Sequence, residues 1–126
     1  MSFTTKNVLT ILRDRKLRDA LLDDEDLTEQ DYKSFDYLDQ EKRDIAWENI
    51  VNALELYAPF QISYPSPIDQ YPDDARVYGT RGFYMVWTQD DTYFFTTKRS
   101  ALRFAESSSK VSWKIAREMG YFKDND

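Results

Sequence analysis

The side chains that could carry chemistry in this sequence are carboxylates, lysines, tyrosines and serines, because its 126 residues include no His and no Cys. That absence excludes disulfide scaffolds, the usual zinc sites, Cys or Ser-His nucleophiles and a histidine pH switch. Carboxylates are concentrated in Asp23-Asp24-Glu25-Asp26 and Asp73-Asp74, groups of the kind that can bind a divalent cation or flank a glycosidic bond. Neither group is embedded in apolar sequence that would remove it from water. We therefore expect solvated turns, with no catalytic residue, metal or cofactor.

Two short motifs match the residue patterns of known functional motifs but lack the sequence context that those motifs require. Gly79-Thr80-Arg81-Gly82 has the G-x-x-G pattern of an RNA-clamping loop, but that loop joins two helices and this one precedes a strand-like segment, so we expect a turn. Ser107-Ser108-Ser109-Lys110 has the S-x-x-K spacing of penicillin-binding enzymes, yet the companion S-D-N and K-T-G motifs are absent. We interpret these serines as a helix junction, since serine hydroxyls compete for backbone groups.

Charge is distributed unevenly along the chain, whose net charge is -6. Residues 1–18 contain five bases and one acid, residues 19–75 three bases and sixteen acids, and residues 76–123 nine bases and four acids. On helices, the acidic middle could imitate the charge rows of duplex DNA and bind a basic groove on another protein. The alternative is an ordinary solvated helix face. The acids assigned to partner binding are Asp23, Asp24, Glu25, Asp26, Glu29, Asp31, Asp36 and Asp39.

The 20 aromatic residues are the least ordinary feature of the composition, and eleven of them lie between Tyr57 and Phe95. A surplus of tyrosine favours a surface that meets a partner, although these rings could equally roof a small core. The tyrosines assigned to such a surface are Tyr64, Tyr71, Tyr78, Tyr84 and Tyr93. Aromatic rings beside bases could also form a stacking platform for single-stranded nucleic acid, a partner that the acidic segment would repel. That platform would use Arg81, Tyr84, Trp87, Lys98 and Arg99.

The acidic part of the sequence is predicted to be helical over about residues 4–58. Residues 4–22 contain no Gly or Pro and fit one bent helix or two short ones. Thr28 followed by Asp31 is typical of a capping box at a helix start, and the apolar residues from Trp47 to Ala58 recur at helical spacing. Pro59 is expected to end this part.

The second half is predicted to form a small antiparallel sheet and a helix. Residues 59–75 hold all four prolines, which favours an extended connection with at most a short strand at Gln61–Tyr64. Two β-rich runs predict a hairpin at about 83–96, and the first run is apolar on both faces, so it is central in the sheet or leaves an adhesive face. Thr97 can cap a helix that Ser107–Ser109 could break in two, and Gly120 suits its C-terminal cap.

These elements predict one α+β domain over residues 1–126: N-terminal acidic helices, the connection at 59–75, and a hairpin plus helix at 76–122. The apolar run Val8–Leu12 is too short to cross a membrane, so we expect a cytoplasmic protein with no membrane partner. The principal hypothesis is a non-catalytic acidic protein that binds another protein with a basic surface, as a regulator, a DNA-mimic inhibitor or an accessory subunit. The alternative is a module that binds single-stranded nucleic acid, and the third hypothesis is a carboxylate-based enzyme.

Overall fold

The computed structural model describes residues 3–67 and 73–120, which form helices, then a sheet, then a last helix. The helices of the first half are α1 (Thr5–Leu12), α2 (Arg15–Asp23), α3 (Glu29–Lys33), a single 3-10 turn (Phe35–Tyr37) and α4 (Gln40–Tyr57). The second half comprises β1 (Phe60–Pro65), β2 (Asp73–Thr80), β3 (Phe83–Thr88), β4 (Thr92–Phe95) and α5 (Lys98–Glu118). The α+β arrangement predicted from the sequence is confirmed.

Side chains that bind backbone amides set where the helices of the first half begin. The carboxylate of Asp14 accepts a hydrogen bond from the Leu17 amide, so residues 4–22 form two short helices. The capping box predicted at Thr28 is present: its hydroxyl accepts from the Asp31 amide at 3.2 Å, and the Asp31 carboxylate accepts from the Thr28 amide at 3.0 Å. The carboxylate of Asp39 caps α4 by accepting a hydrogen bond from the Lys42 amide. These caps divide the acidic segment into shorter helices than the spacing of its apolar residues indicates.

The sheet has four antiparallel strands in the order β1-β2-β3-β4. The predicted hairpin is confirmed as β3 and β4. The short strand that the sequence allowed at Gln61–Tyr64 is present as β1, and the connection predicted over residues 59–75 is shorter than expected, because β1 and the start of β2 lie within that range. Pro59 precedes β1 and Pro65 ends it, and since β1 is an edge strand these positions tolerate proline.

Both faces of the sheet are covered. Tyr78, Phe83 and Met85 join the core formed with the N-terminal helices. Val77 and Val86 point the other way and join a second core with α5. β3 is therefore a central strand covered on both sides, which is one of the two alternatives that the sequence allowed.

α5 is one continuous helix of 21 residues, so the predicted junction at Ser107–Ser109 was wrong. The hydroxyl of Thr97 accepts a hydrogen bond from the Ser100 amide, which confirms the predicted cap. Gly120 has φ +79°, as a left-handed C-terminal cap requires. Ser109 is buried, so small serine side chains in this helix permit close packing without breaking it.

Gly79 in β2 is directly opposite Tyr84 in β3, and the tyrosine ring lies over the glycine. A Cβ atom at residue 79 would be 2.1 Å from the ring, which forces the ring or the strand to move. We expect Gly79→Ala to lower the free energy of unfolding by about 2 kcal/mol, measured by urea denaturation. In a Tyr84→Ala background the same change should cost less than about 0.5 kcal/mol, and an equal cost in both backgrounds would contradict this packing.

Candidate functional site

The acidic residues predicted to bind a partner fall into two groups in the structure. Five of them also stabilise the fold: Asp24, Glu29, Asp31, Asp36 and Asp39 accept backbone hydrogen bonds or form ion pairs. The remaining three, Asp23, Glu25 and Asp26, are exposed at the end of α2 and in the turn that follows it. Their carboxylates make no hydrogen bond or ion pair with the part of the chain that the structure describes, so they are free to meet a partner.

A second row of acids runs along α4. These acids belong to the acidic middle of the chain that was predicted to imitate DNA, although they are not among the eight residues assigned to partner binding. Glu41, Asp44, Glu48 and Glu55 are all exposed and recur at intervals of three, four and seven residues. Such intervals place side chains on one face of a helix. The same spacing rule that identified the apolar face of α4 could have identified this stripe.

The acidic turn and the α4 stripe are neighbours. Asp24 and the α4 residues Asn49 and Asn52 line the same surface groove. Beneath it, the buried Tyr32 hydroxyl accepts a hydrogen bond from Asn49 at 3.1 Å. Burial raises the pKa of Tyr32, and the nearby carboxylates of Asp24, Asp26 and Asp31 raise it further. We call the exposed acids of residues 23–26 and of the α4 stripe the acidic surface.

Few of these acids form ion pairs with the part of the chain that the structure describes. Residues 19–57 contain thirteen acids and three bases. Among residues 3–67 and 73–120, ion pairs within 4.0 Å engage only two of the thirteen, Asp19 with Arg15 and Glu29 with Arg18 and Lys33. Most of these carboxylates therefore have no ion-pair partner within 4.0 Å among the described residues, although Lys16 lines a groove together with Asp19 and Asp23.

The predicted tyrosine surface is mostly a packing layer. Tyr78 is only 6% exposed and belongs to the first core, so we leave it out of any partner surface. Tyr64, Tyr84 and Tyr93 lie on the other face of the sheet and pack against the second core, with the Tyr93 ring 4.6 Å from that of Phe104 in α5. Tyr71 lies outside the described residues. This packing fits the alternative interpretation, in which the tyrosines roof a small core.

The residues predicted to bind single-stranded nucleic acid are only partly brought together. Tyr84 and Lys98 meet at Phe60, whose ring centroid lies 4.1 Å from the Lys98 ammonium. Trp87 lies on the opposite face of the sheet, beneath the guanidinium of Arg76. Arg81 and Arg99 are both exposed, in the β2–β3 turn and in the first turn of α5. One stacking platform cannot contain both Tyr84 and Trp87.

A cavity of about 220 Å³ lies beside the C-terminal half of α5. Its walls are Ser66, Pro67, Asp74, Thr88, Gln89, Asp90, Ser108, Ser112, Ile115, Ala116 and Met119. The carboxyl group of Asp74 is in the inner wall and is only 5% exposed. Asp73-Asp74 was predicted to be a solvated turn, and for Asp74 that prediction was wrong, because the residue is buried in β2.

A β-bulge explains how an aspartate in β2 comes to face α5. The pairing of β1 with β2 passes from Tyr64 opposite Ala75 to Pro65 opposite Asp73, so Asp74 is the extra residue. A bulge re-aims side chains that strict alternation would place on the other face. Asp73 instead pairs with the guanidinium of Arg76.

The environment of Asp74 favours the protonated carboxyl. Burial raises its pKa above the ordinary 3.8, a hydrogen bond from Ser112 partly opposes that effect, and the carboxylate of Asp90 raises the pKa further. The Oδ2 atom has no hydrogen-bond partner among the described residues. The residue types were visible in the sequence, but the burial depends on α5, which follows Asp74 by more than twenty residues.

Comparison with known proteins adds no assignment. No family model, curated protein or solved structure matches this chain. Across residues 3–67 and 73–120, none of the helices is both long and apolar enough to cross a bilayer.

The raised pKa of Asp74 predicts a pH-dependent effect of neutralising it. The native state holds the proton more tightly than the unfolded chain, whose carboxyl titrates near the ordinary 3.8. The free energy of unfolding therefore falls as the pH rises from that value through the native pKa. We expect Asp74→Asn to raise the free energy of unfolding at pH 7 by about 1 kcal/mol, because it removes a buried charge. The gain should vanish at about pH 3, where the wild-type carboxyl is protonated.

Asp90→Asn is the matched control, since Asp90 lines the same cavity but is exposed. Its effect on unfolding at pH 7 should stay within about 0.5 kcal/mol. Urea denaturation of the three proteins at pH 3, 5 and 7 makes the comparison. A loss of stability in Asp74→Asn at pH 7 would mean that the carboxylate is satisfied in the native state.

Proposed function

We propose that this protein is a non-catalytic binding protein whose acidic surface engages a basic surface on another protein. The observation that supports the proposal is the set of exposed carboxylates at residues 23–26 and along α4, most of them without an ion pair among the described residues. A field of one sign steers an oppositely charged partner and accelerates association. The cytoplasmic location expected from the sequence belongs to the same proposal.

Mimicry of DNA is the concrete form of this proposal. Glu41 and Glu55 are fourteen residues apart on α4, about 21 Å along the helix axis at 1.5 Å per residue. Asp44 and Glu48 lie between them on the same face, and Asp23, Glu25 and Asp26 flank the row in the neighbouring turn. A basic groove that binds DNA phosphates could accept such an array of carboxylates. The protein would then act as an inhibitor or regulator of a DNA-binding protein, or as an accessory subunit if the contact is permanent.

One observation favours the enzyme hypothesis as a second candidate. Asp74 and Asp90 line the same cavity, and the pKa of Asp74 is raised by burial first and by Asp90 in addition. A pair of carboxyl groups in unequal environments is the arrangement that acid-base catalysis uses. The nucleic-acid hypothesis has less support, because Tyr84 and Trp87 lie on opposite faces of the sheet.

The binding proposal predicts a partner whose capture depends on salt and on the acidic surface. We expect the immobilised protein to retain a stoichiometric protein from a lysate of its host at about 0.05 M salt and to release it at about 0.5 M, where charges are strongly screened. Added duplex DNA should also release it if the surface imitates DNA. The triple variant Asp23→Asn, Glu25→Gln, Asp26→Asn should retain at most about a tenth as much.

The matched control is Glu106→Gln with Glu118→Gln, two exposed acids of α5 on the other side of the sheet. This variant should capture as much partner as the wild type. Equal capture by the acidic-surface variant would contradict the proposal, and so would a partner that resists salt. Recovery of nucleic acid alone would favour the alternative module.

A further inference from the structure

The cavity beside α5 lies on the opposite side of the sheet from the acidic surface, and its lining has a distinct chemistry. Of its eleven residues, two are carboxylates and none is a base. Four more carry hydroxyl groups that can accept a hydrogen bond: Ser66, Thr88, Ser108 and Ser112. The polar part of this lining therefore suits a ligand that carries positive charge and N–H donors.

Asp74 is the feature that singles out this cavity from other acidic sites on the molecule. The residue is only 5% exposed, its Oδ2 atom has no hydrogen-bond partner among the described residues, and none of the groups that shift its pKa is a cation. A buried carboxylate that lacks both a counterion and a full set of hydrogen bonds is costly to the folded state. A cationic group bound in the adjoining cavity would supply the missing interaction.

The remaining walls indicate the kind of cation. Pro67, Ile115, Ala116 and Met119 form an apolar side, which a hydrated metal ion cannot use but a hydrocarbon group can. Calcium binding requires six to eight oxygen ligands, and the part of the chain that the structure describes has no group of three or more Asp or Glu residues placed to hold a metal ion. A volume of about 220 Å³ leaves room for a small organic molecule.

We propose that this cavity binds a small organic cation, a primary ammonium group on a short hydrocarbon body, with Asp74 as its counterion. The ammonium donates one hydrogen bond to the Asp74 carboxylate and others to the hydroxyl oxygens of the lining. The hydrocarbon body packs against Ile115, Ala116 and Met119, all on α5. Asp90 adds a second negative charge at the exposed rim. This inference is independent of the proposed function, because it uses none of the residues of the acidic surface.

The proposal also fixes the direction of the pH dependence. The ammonium binds the ionised form of Asp74. Burial raises the pKa of this carboxyl, the hydrogen bond from Ser112 lowers it, and the charge of Asp90 raises it. Affinity should therefore be constant between the Asp74 pKa and the higher pH at which the ammonium group itself loses its proton, and it should fall as the pH drops through the Asp74 pKa. Purely apolar binding would show no such fall.

Titration with benzylammonium chloride, followed by two-dimensional amide NMR of the full chain, tests the proposal. Benzyl alcohol is the neutral probe of the same shape, and calcium chloride is the metal probe. We expect benzylammonium to shift the amides of Ser108, Ser112, Ile115 and Met119 in a saturable manner. Benzyl alcohol should bind to the wild type at least about tenfold more weakly than benzylammonium. Benzylammonium should likewise bind to Asp74→Asn at least about tenfold more weakly than to the wild type. In each case one partner of a charge-assisted hydrogen bond is missing.

Asp90→Asn provides a variant whose fold is secure, because residue 90 is exposed; we expect it to weaken benzylammonium binding about two- to fourfold through the lost rim charge. The triple variant of residues 23, 25 and 26 should bind the probe like the wild type, which separates this test from that of the proposed function. Equal affinity for benzyl alcohol, equal binding by Asp74→Asn, or shifts with calcium alone would each overturn the proposal.

Discussion

The structure depends on a sheet whose inner strands are buried on both faces. β2 and β3 place alternate side chains into two separate cores, one with the N-terminal helices and one with α5. A strand that is apolar on both sides cannot remain exposed on either, so the chain must supply a layer for each face. That requirement puts the acidic helices and α5 on opposite sides of the molecule.

The second layer also explains the cavity. α5 meets the sheet through small residues at intervals of four, Ala101, Ala105 and Ser109, which lets the helix approach closely while larger rings pack beside it. The helix is about 31 Å long at 1.5 Å per residue, whereas the six residues of β3 span about 20 Å. The last turns of α5 therefore extend past the strand, where the bulge at Asp74 and the turn after β3 leave a cavity instead of a packed core.

Local signals in the sequence predicted what local chemistry determines. The caps at Thr28 and Thr97 and the β3–β4 hairpin follow from side-chain type and spacing within a few residues. The proline-rich stretch contains more strand than was predicted. Proline usually interrupts regular structure, but at the ends of an edge strand it removes no required hydrogen bond. The burial of Asp74 depends on a bulge and on a distant helix, which no local pattern contains. The placement of Tyr84 and Trp87 on opposite faces could have been predicted from the sequence, since residues three apart in a strand face opposite sides.

Opposite placement of charge follows from the same architecture. The exposed bases Arg99, Arg103, Lys110, Lys114 and Arg117 lie on α5, while the uncompensated acids lie on the helices across the sheet. α5 is therefore net basic and the segment from residue 19 to residue 57 net acidic, in spite of the modest net charge of the chain. The proposed basic partner would meet the acidic surface, and α5 would then lie across the sheet from the contact. The acidic surface and the cavity have no residue in common, so a contact at one of them does not use the residues of the other.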